Sequence, residues 1–422
     1  MLGSLIVFGA LSVLLLALGP AVLRRSRPEI ATKILLSALA LRIVGSLGRY
    51  FMVAVLYDGR GDAYAYLNAG RVYASILGLV EWGPLNPSYW TDQSRWWSTE
   101  FVEHLTGVLI AIVGPRIHSL FLIYSCIAFA GLCLIAKAFQ NEAGEDHIAS
   151  HDFTRFLWFW PSLWFWPSSI GKEAIIIFSI GLATYAYRGR GGRPRWALFA
   201  VALFLCYAIR PHVAAVVALS AAVAHWLGAF DRLTGRRILE LIAISVGGIY
   251  MLIAMNRAFG LDDLSVDGMI EFYEFSAGQT LQGGSSVGGV PALGFLGLPI
   301  AFVNIWMRPF PWEAHNVAAL FSAVELVVFW TLVWQRRRGL RYFLGNWRKS
   351  RLLCFAVPLF LAYTIAIGLT FGNLGIIARQ RTPIFPFFLM ILAALSVKAP
   401  VRPILRRTAR AKPETVAAAL AR

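Results

Sequence analysis

Long apolar runs separated by short basic clusters set the pattern of this chain. A helix needs about 20 mostly apolar residues to cross a bilayer. The first such run is 5–23, followed by RRSR at 24–27; the second is 35–57, which carries Arg42 and Arg49. Others lie at 119–139, 153–167, 173–187, 196–209, 213–230, 238–255, 317–334, 352–371 and 384–397. The pattern predicts an all-α polytopic membrane protein with about eleven transmembrane helices.

Two polar stretches interrupt the runs. The first, 58–104, is rich in Trp and Tyr, which favour the membrane interface. Short interfacial helices are expected there at 65–79 and 100–113. The second, 256–315, begins acidic, becomes Gly-rich (QGGSSVGG), and ends in an apolar piece at 291–306. That piece is short and contains Pro and Gly, so a re-entrant or interfacial segment is expected. Residues 1–397 read as one transmembrane domain and 398–422 as a basic cytoplasmic tail. Residues 1–23 lack a basic start and a small-residue cleavage site, and so read as a first transmembrane helix.

Composition agrees. Of 422 residues, 58% are hydrophobic and 14% charged, against about 25% charged in a soluble domain. The net charge of +17 fits positive-inside topology, and no nucleic-acid partner is expected. The large basic clusters at 24–27, 188–195, 231–237 and 335–351 then share the cytoplasmic side. Making 291–306 a full span would put QRRRGLRYF outside, a poorer fit to the charge rule. Cys126, Cys133, Cys206 and Cys354 lie within apolar runs, without metal-like spacing or a disulfide pattern.

In this topology the outer ends of the helices collect charge. Asp58, Arg60, Asp62 and Arg71 follow the second run. Lys172 and Glu173 end FWPSSIGKE. Arg210 and His212 flank Pro211, Arg308, Glu313 and His315 lie in RPFPWEAH, and Arg379 and Arg381 in ARQR. Each has a plain structural role available. Asp62 can cap a helix, and Lys172-Glu173 can be a first-turn pair. Arg210 and His212 can snorkel, RPFPWE can be a rigid turn, and ARQR can be a solvated loop. Trp158, Trp160, Trp164 and Trp166 can form an aromatic belt or a sugar platform.

Together these residues predict a shared pocket at the outer face. Arg379 and Arg381 suit bidentate phosphate binding. Lys172, at a helix start, adds a cation beside a positive dipole end, and Glu173 is expected to orient it. Arg60, Arg210, His212, Arg308, Glu313 and His315 complete the expected substrate-binding set. Asp62, or Asp58 in second place, is the expected general base toward a sugar hydroxyl. The cations would stabilise a departing lipid phosphate.

GDAYAYLNAG, FWPSSIGKEA, the RPH turn, RPFPWEAHN and GNLGIIARQRTPIFPF, in this order, resemble bacterial membrane proteins of the GT-C glycosyltransferase superfamily. The similarity runs from about residue 57 to 387 and is greatest to the dolichyl-phosphate-mannose mannosyltransferase-like branch common in actinobacteria. It implies a polyprenyl-phosphate sugar donor, an inverting hexosyl or pentosyl transfer, and a catalytic acid in the first outer loop, a role that falls to Asp62. It also implies a site on the outer face of a bacterial inner membrane and a glycan, lipid or protein acceptor in the cell envelope. In that superfamily the catalytic loop commonly follows the first span; here it follows the second. Some members need a divalent metal. This chain has no compact DxD, and Asp262-Asp263 is an acidic pair, so metal use stays open and no cofactor is assigned.

Two other functions fit parts of the pattern. An O-antigen or exopolysaccharide polymerase acting on diphosphate-linked repeat units would use outer arginines such as Arg210 and the ARQR turn. A flippase or transporter would show internal repeats and mid-membrane charges; of these only Arg42 stands out. Reporters fused after Arg190 and after Gly375 are expected to report opposite sides of the membrane. The same side from both would overturn the topology.

Overall fold

The computed structural model describes residues 2–26, 30–79, 98–143, 147–189, 193–227, 235–258, 297–314, 316–370 and 373–395. Every regular element among them is helical. Six stretches are long and apolar enough to cross a membrane: Gly3–Arg24, Thr32–Leu56, Ile117–Ala143, Val317–Lys349, Arg351–Gly368 and Leu374–Ala394. Trp196–Ile209, Pro211–Leu227 and Ile238–Gly248 are apolar but shorter. The protein is an all-α membrane protein.

Helix α1 (Leu2–Ser26) exposes Ile6, Val13, Leu14, Leu18 and Val22. Helix α2 (Thr32–Phe51, continued by a π-helical turn Met52–Leu56) turns Leu36, Val44, Leu47 and Phe51 outward while Arg42, Ser46 and Arg49 are buried. Apolar groups outside and polar groups inside suit a lipid solvent, which offers no hydrogen bonds. Helices α3 (Asp62–Leu79) and α4 (Thr99–Val113) follow. They touch through Gly70 and Gly107, where a Cβ would lie 2.8 Å from Thr106 or Tyr73.

Helix α5 (Ile117–Ala143) packs against α8 (Lys172–Arg188) at the centre of the bundle. A Cβ on Gly181 would lie 2.3 Å from the Gly131 carbonyl oxygen. Small residues at such a crossing let two membrane helices approach closely. The stretch 141–152, which its charged residues predict to be a loop, is helical up to Ala143 and again from His147.

The run 153–167, expected as one span, is broken. Helix α6 (His147–Phe159) stops before Pro161, and α7 (Pro161–Phe165) restarts for five residues. Proline has no N–H and pushes the preceding residue out of helical geometry; Trp160 is extended, with ψ 126°. The face of α2 receives this broken segment. Arg42 is fully buried and donates to the Trp158 carbonyl at 2.8 Å and the Leu163 carbonyl at 3.4 Å. Its guanidinium also lies 4.8 Å from the centre of the Phe129 ring. One turn on, Gly45 meets the chain directly: a Cβ there would lie 2.3 Å from the Trp164 carbonyl oxygen. Arg49 donates to Ser169 Oγ at 3.1 and 3.3 Å and faces the Phe165 and Trp166 rings. Trp158, Trp160 and Trp166 are buried. They are core residues, which corrects the reading of this cluster as a belt or platform.

The remaining helices are α9 (Trp196–Ile209), α10 (Pro211–Leu227), α11 (Gly235–Ala258), α12 (Gly297–Trp306), α13 (Val317–Arg336), α14 (Leu340–Asn346), α15 (Arg351–Thr370), α16 (Leu374–Gln380) and α17 (Phe385–Ala394). Helix α12 is the described part of the apolar piece at 291–306. It has ten residues, too few to span a bilayer. It docks on α15 where Ala301 meets Gly368, and Trp306 Nε1 donates to Thr364 Oγ1 at 3.1 Å. ARQR, expected in an outer turn, closes helix α16, whose start is capped by the Asn373 side chain accepting from Gly375 and Ile376 N–H. The four cysteines are free thiols. The basic tail, the Gly-rich and acidic parts of 256–315, and residues 80–97 lie outside the described residues.

Two substitutions on α2 separate close packing from helix propensity. Gly45→Ala is expected to cost on the order of 1–3 kcal/mol through overpacking, because its Cβ meets backbone. Gly48→Ala should be near neutral or stabilising, since its Cβ finds only the Phe165 ring at 3.5 Å. Tryptophan-detected thermal unfolding in detergent compares the two; equal destabilisation would remove the close contact as the cause.

Candidate functional site

The site is built on Glu173, in the first turn of α8. Residues 166–171 lead into that helix from the segment held by α2, so the clasp fixes where Glu173 stands. Glu173 is 6% exposed. Its Oε1 accepts from Arg210 Nη2 at 3.1 Å and lies 3.1 Å from Arg379 Nε, an ion pair without hydrogen-bond geometry. A buried carboxylate is tolerated only when paired, and here two guanidinium groups share it.

Each arginine has a second partner. Arg210, between α9 and α10, donates through Nη1 to Gln380 Oε1. Arg379 donates through Nη1 to Asp62 Oδ2 at 2.9 Å. Asp62 opens α3, where a carboxylate favours the positive helix end. The preceding turn requires left-handed backbone at Asp58 (φ 51°), Gly59 (φ 70°) and Gly61 (φ 135°), conformations that Asp and Gly adopt most readily. Asp62's side chain is 59% exposed, that of Glu173 only 8%.

Lys172 turns to α4. Its Nζ donates to Ser98 Oγ and Thr99 Oγ1, each at 3.0 Å. Ser98 is held by its own N–H on the Ala208 carbonyl at 2.6 Å. Thus Lys172 rests on hydroxyl groups, and Glu173, expected to orient it, instead binds Arg210 and Arg379. His212 stands near enough to Arg210 and Lys172 to feel both charges. Arg49 feels Arg379, Glu173 and Asp62. Tyr66, one turn along α3 from Asp62, is buried. Burial, then Asp62 and Glu173, push its phenol well above the usual range.

The structure therefore gathers Asp62, Lys172, Glu173, Arg210, His212 and Arg379 from four segments that are far apart in sequence. Arg308 and Glu313 pair with each other, with Nε 3.0 Å from both carboxylate oxygens, and Glu313 also caps the Phe310 N–H at 2.9 Å. This is the rigid-turn role, confined to one short segment. Arg381 is a correction. It is fully buried and donates Nη1 to the Ile305 and Arg308 carbonyls at 3.1 and 3.0 Å. Its Nη2 lies 3.8 Å from Glu325, a carboxylate that also takes Ser162 N–H at 2.6 Å. Arg381 is thus enclosed by main chain and core, its Nε and Nη2 without hydrogen-bond partners and none of its surface open to a phosphate. Asp58 and Arg60 are exposed in the turn before α3. His315 lies outside the described residues.

Sequence reasoning did not single out Arg49, Tyr66 or Gln380 for this site, nor the hydroxyls of Ser98 and Thr99. The spacing of Arg42 and Arg49, seven residues apart on one helix face, was the available signal for Arg49. Among the described residues, no group of three or more His, Cys, Asp or Glu side chains is placed to hold a metal ion, and Asp262-Asp263 lies outside them.

An apolar groove of about 720 Å³ runs beside the cluster. It is lined by Leu14 and Leu18 of α1, Phe101 and Leu105 of α4, Ile123 of α5 and Ile175 of α8, among others. Ile175 follows Lys172 by three residues and Phe101 follows Thr99 by two, while the charged side chains of the cluster are not part of the lining. The chain matches no family model, no curated protein and no solved structure.

Glu173→Gln is expected to destabilise the protein by about 3–5 kcal/mol, because the buried Arg210 and the half-buried Arg379 lose their shared anion. Arg308→Ala, at a half-buried pair, should cost about 1 kcal/mol or less. Detergent-solubilised thermal unfolding measures both; a Glu173→Gln effect as small as that of Arg308→Ala would remove Glu173 from the centre of the cluster.

Proposed function

We propose that this protein is a membrane glycosyltransferase. It transfers a sugar from a polyprenyl-phosphate donor to a cell-envelope glycan, lipid or protein acceptor at the outer face of a bacterial inner membrane. One observation carries the reading: four cations and two carboxylates gather in one cluster, on helices that also contribute Ile175 and Phe101 to an apolar groove. Arg49, Lys172, Arg210 and Arg379 exceed Asp62 and Glu173 by two charges, and that excess is matched by a lipid-linked phosphate. The groove offers an apolar tail a place on the same helices. The order of motifs shared with GT-C enzymes supports the same class.

In this reading Asp62 is the base, being the exposed carboxylate of the pair. The acceptor hydroxyl gives its proton to Asp62. The acceptor oxygen forms a bond to the anomeric carbon as the bond from that carbon to the phosphate oxygen breaks. The electron pair leaves on polyprenyl phosphate, and the configuration inverts. Arg379, Arg210 and Lys172 stabilise the charge that collects on the phosphate. Tyr66 and His212 line the approach. Arg42, whose mid-helix charge favours a transporter, is taken up by main-chain carbonyls of the broken helix, so the structural role accounts for it.

Asp62→Asn is expected to abolish transfer, a loss of at least about 100-fold for removal of a general base, while the unfolding temperature stays near wild type. Membranes with and without the protein, supplied with radiolabelled polyprenyl-monophosphate sugars, give the readout. Full activity in the variant would remove Asp62 as base. Turnover of diphosphate-linked oligosaccharide alone would make the protein a polymerase.

A further inference from the structure

Arg379 is shared between two carboxylates of opposite character. Its Nε is held by Glu173, whose side chain is 8% exposed, and its Nη1 by Asp62, whose side chain is 59% exposed. Arg379 itself is 31% exposed. The inner contact sits in a buried cluster that also holds Arg210 and Gln380. The outer contact is open to whatever enters the site, and an exposed ion pair is held by little free energy. In this resting arrangement the carboxylate with the best access to an acceptor is occupied by a cation, 2.9 Å away.

We propose that Arg379 is a substrate-operated switch: the anionic phosphate of the donor takes the outer edge of its guanidinium, displaces Asp62, and frees that carboxylate to act on the acceptor. Glu173 keeps the inner edge in both states, so the guanidinium remains in place while its outer partner changes. Arg379 is planar with donors on two edges, so it can hold both partners at once, as a lysine cannot. Without donor the base stays masked, and water is not activated beside an empty site. This inference rests on the reading of Asp62 as base and of the donor as a lipid phosphate.

The switch makes a prediction that a structural ion pair does not: removing the carboxylate should improve anion binding. Purified full-length protein in nanodiscs is titrated with radiolabelled polyprenyl monophosphate, which carries no sugar to transfer. Asp62→Asn is expected to tighten binding about 2- to 5-fold, the range of a lost exposed competitor, with the unfolding temperature near that of wild type. Glu173→Ala should weaken binding, since Arg379 and Arg210 lose their anchor. If that variant does not fold, Asp62→Ala repeats the first test, with the same expected tightening. Unchanged or weaker binding in both Asp62 variants would overturn the switch and leave the base assignment to be judged by turnover alone. Tighter binding with full turnover would overturn it as well, because no base would then need unmasking. Failure of the wild-type protein to bind polyprenyl monophosphate would overturn both the switch and the donor class.

Discussion

The contact on which the rest of this structure depends is the grip of α2 on a broken helix. Within a bilayer, a main-chain carbonyl that loses its helical partner has no water to turn to. Pro161 creates such carbonyls in the middle of a tryptophan-rich run. Arg42 answers them with a guanidinium inside the bundle, where a bare charge would cost several kcal/mol. Each group removes the other's penalty. Gly45 lets the two chains touch, and Arg49 repeats the contact one heptad on, against Ser169 and two aromatic rings. The clasp fixes where the segment ends and α8 begins. A straight span through 153–167 would deliver α8 in a different place, and Glu173 would not meet Arg210 and Arg379.

That placement decides the electrostatics of the outer cluster. Four cations in a low-dielectric setting repel one another strongly, and they stay together because Glu173 is shared. One carboxylate between two guanidinium groups leaves an excess of positive charge and keeps the geometry fixed. Asp62 reduces the excess from the solvent side without burying itself. Lys172 is oriented in its direct contacts by the Ser98 and Thr99 hydroxyls.

Part of this was legible in the chain and part was not. The all-α membrane class, helices over 65–79 and 100–113, and the shortness of the piece ending at Trp306 follow from composition, charge and length, and the structure agrees with them; of the eleven expected spans, six stretches among the described residues are long and apolar enough to cross a membrane. The roles of Trp158, Trp160 and Arg381 were not legible. In a membrane protein both the lipid face and the core are apolar, so periodicity marks a helix without saying which side is inside. The same limit hid the break at Trp160: Pro161 signals a helix start or a kink, and only the presence of Arg42 opposite makes the break stable. ARQR looked like a solvated turn because it is charged. Its first arginine reaches Asp62, 317 positions away, and its second turns inward to carbonyls. No local pattern encodes a partner at that separation. What the chain did show was that cations recur at turns next to Pro or Gly, and that was enough to place three of the four cations, Lys172, Arg210 and Arg379, in one set.

The two carboxylates of the cluster carry a final constraint. They contact the same arginine, yet they cannot exchange roles. Glu173 lies beneath α16 with both arginines against it, so no acceptor can reach it and its loss would leave two charges unpaired. Asp62 sits at a helix end raised on a glycine turn, where a proton can arrive and leave through solvent. Moving the acid from 62 to the buried position would give a well-paired but unreachable base. Moving the anchor to 62 would leave Arg210 without an anion and Arg379 on a contact that water weakens. In the proposed reading, burial assigns the anchoring task to Glu173 and the chemical task to Asp62, with Arg379 in contact with both.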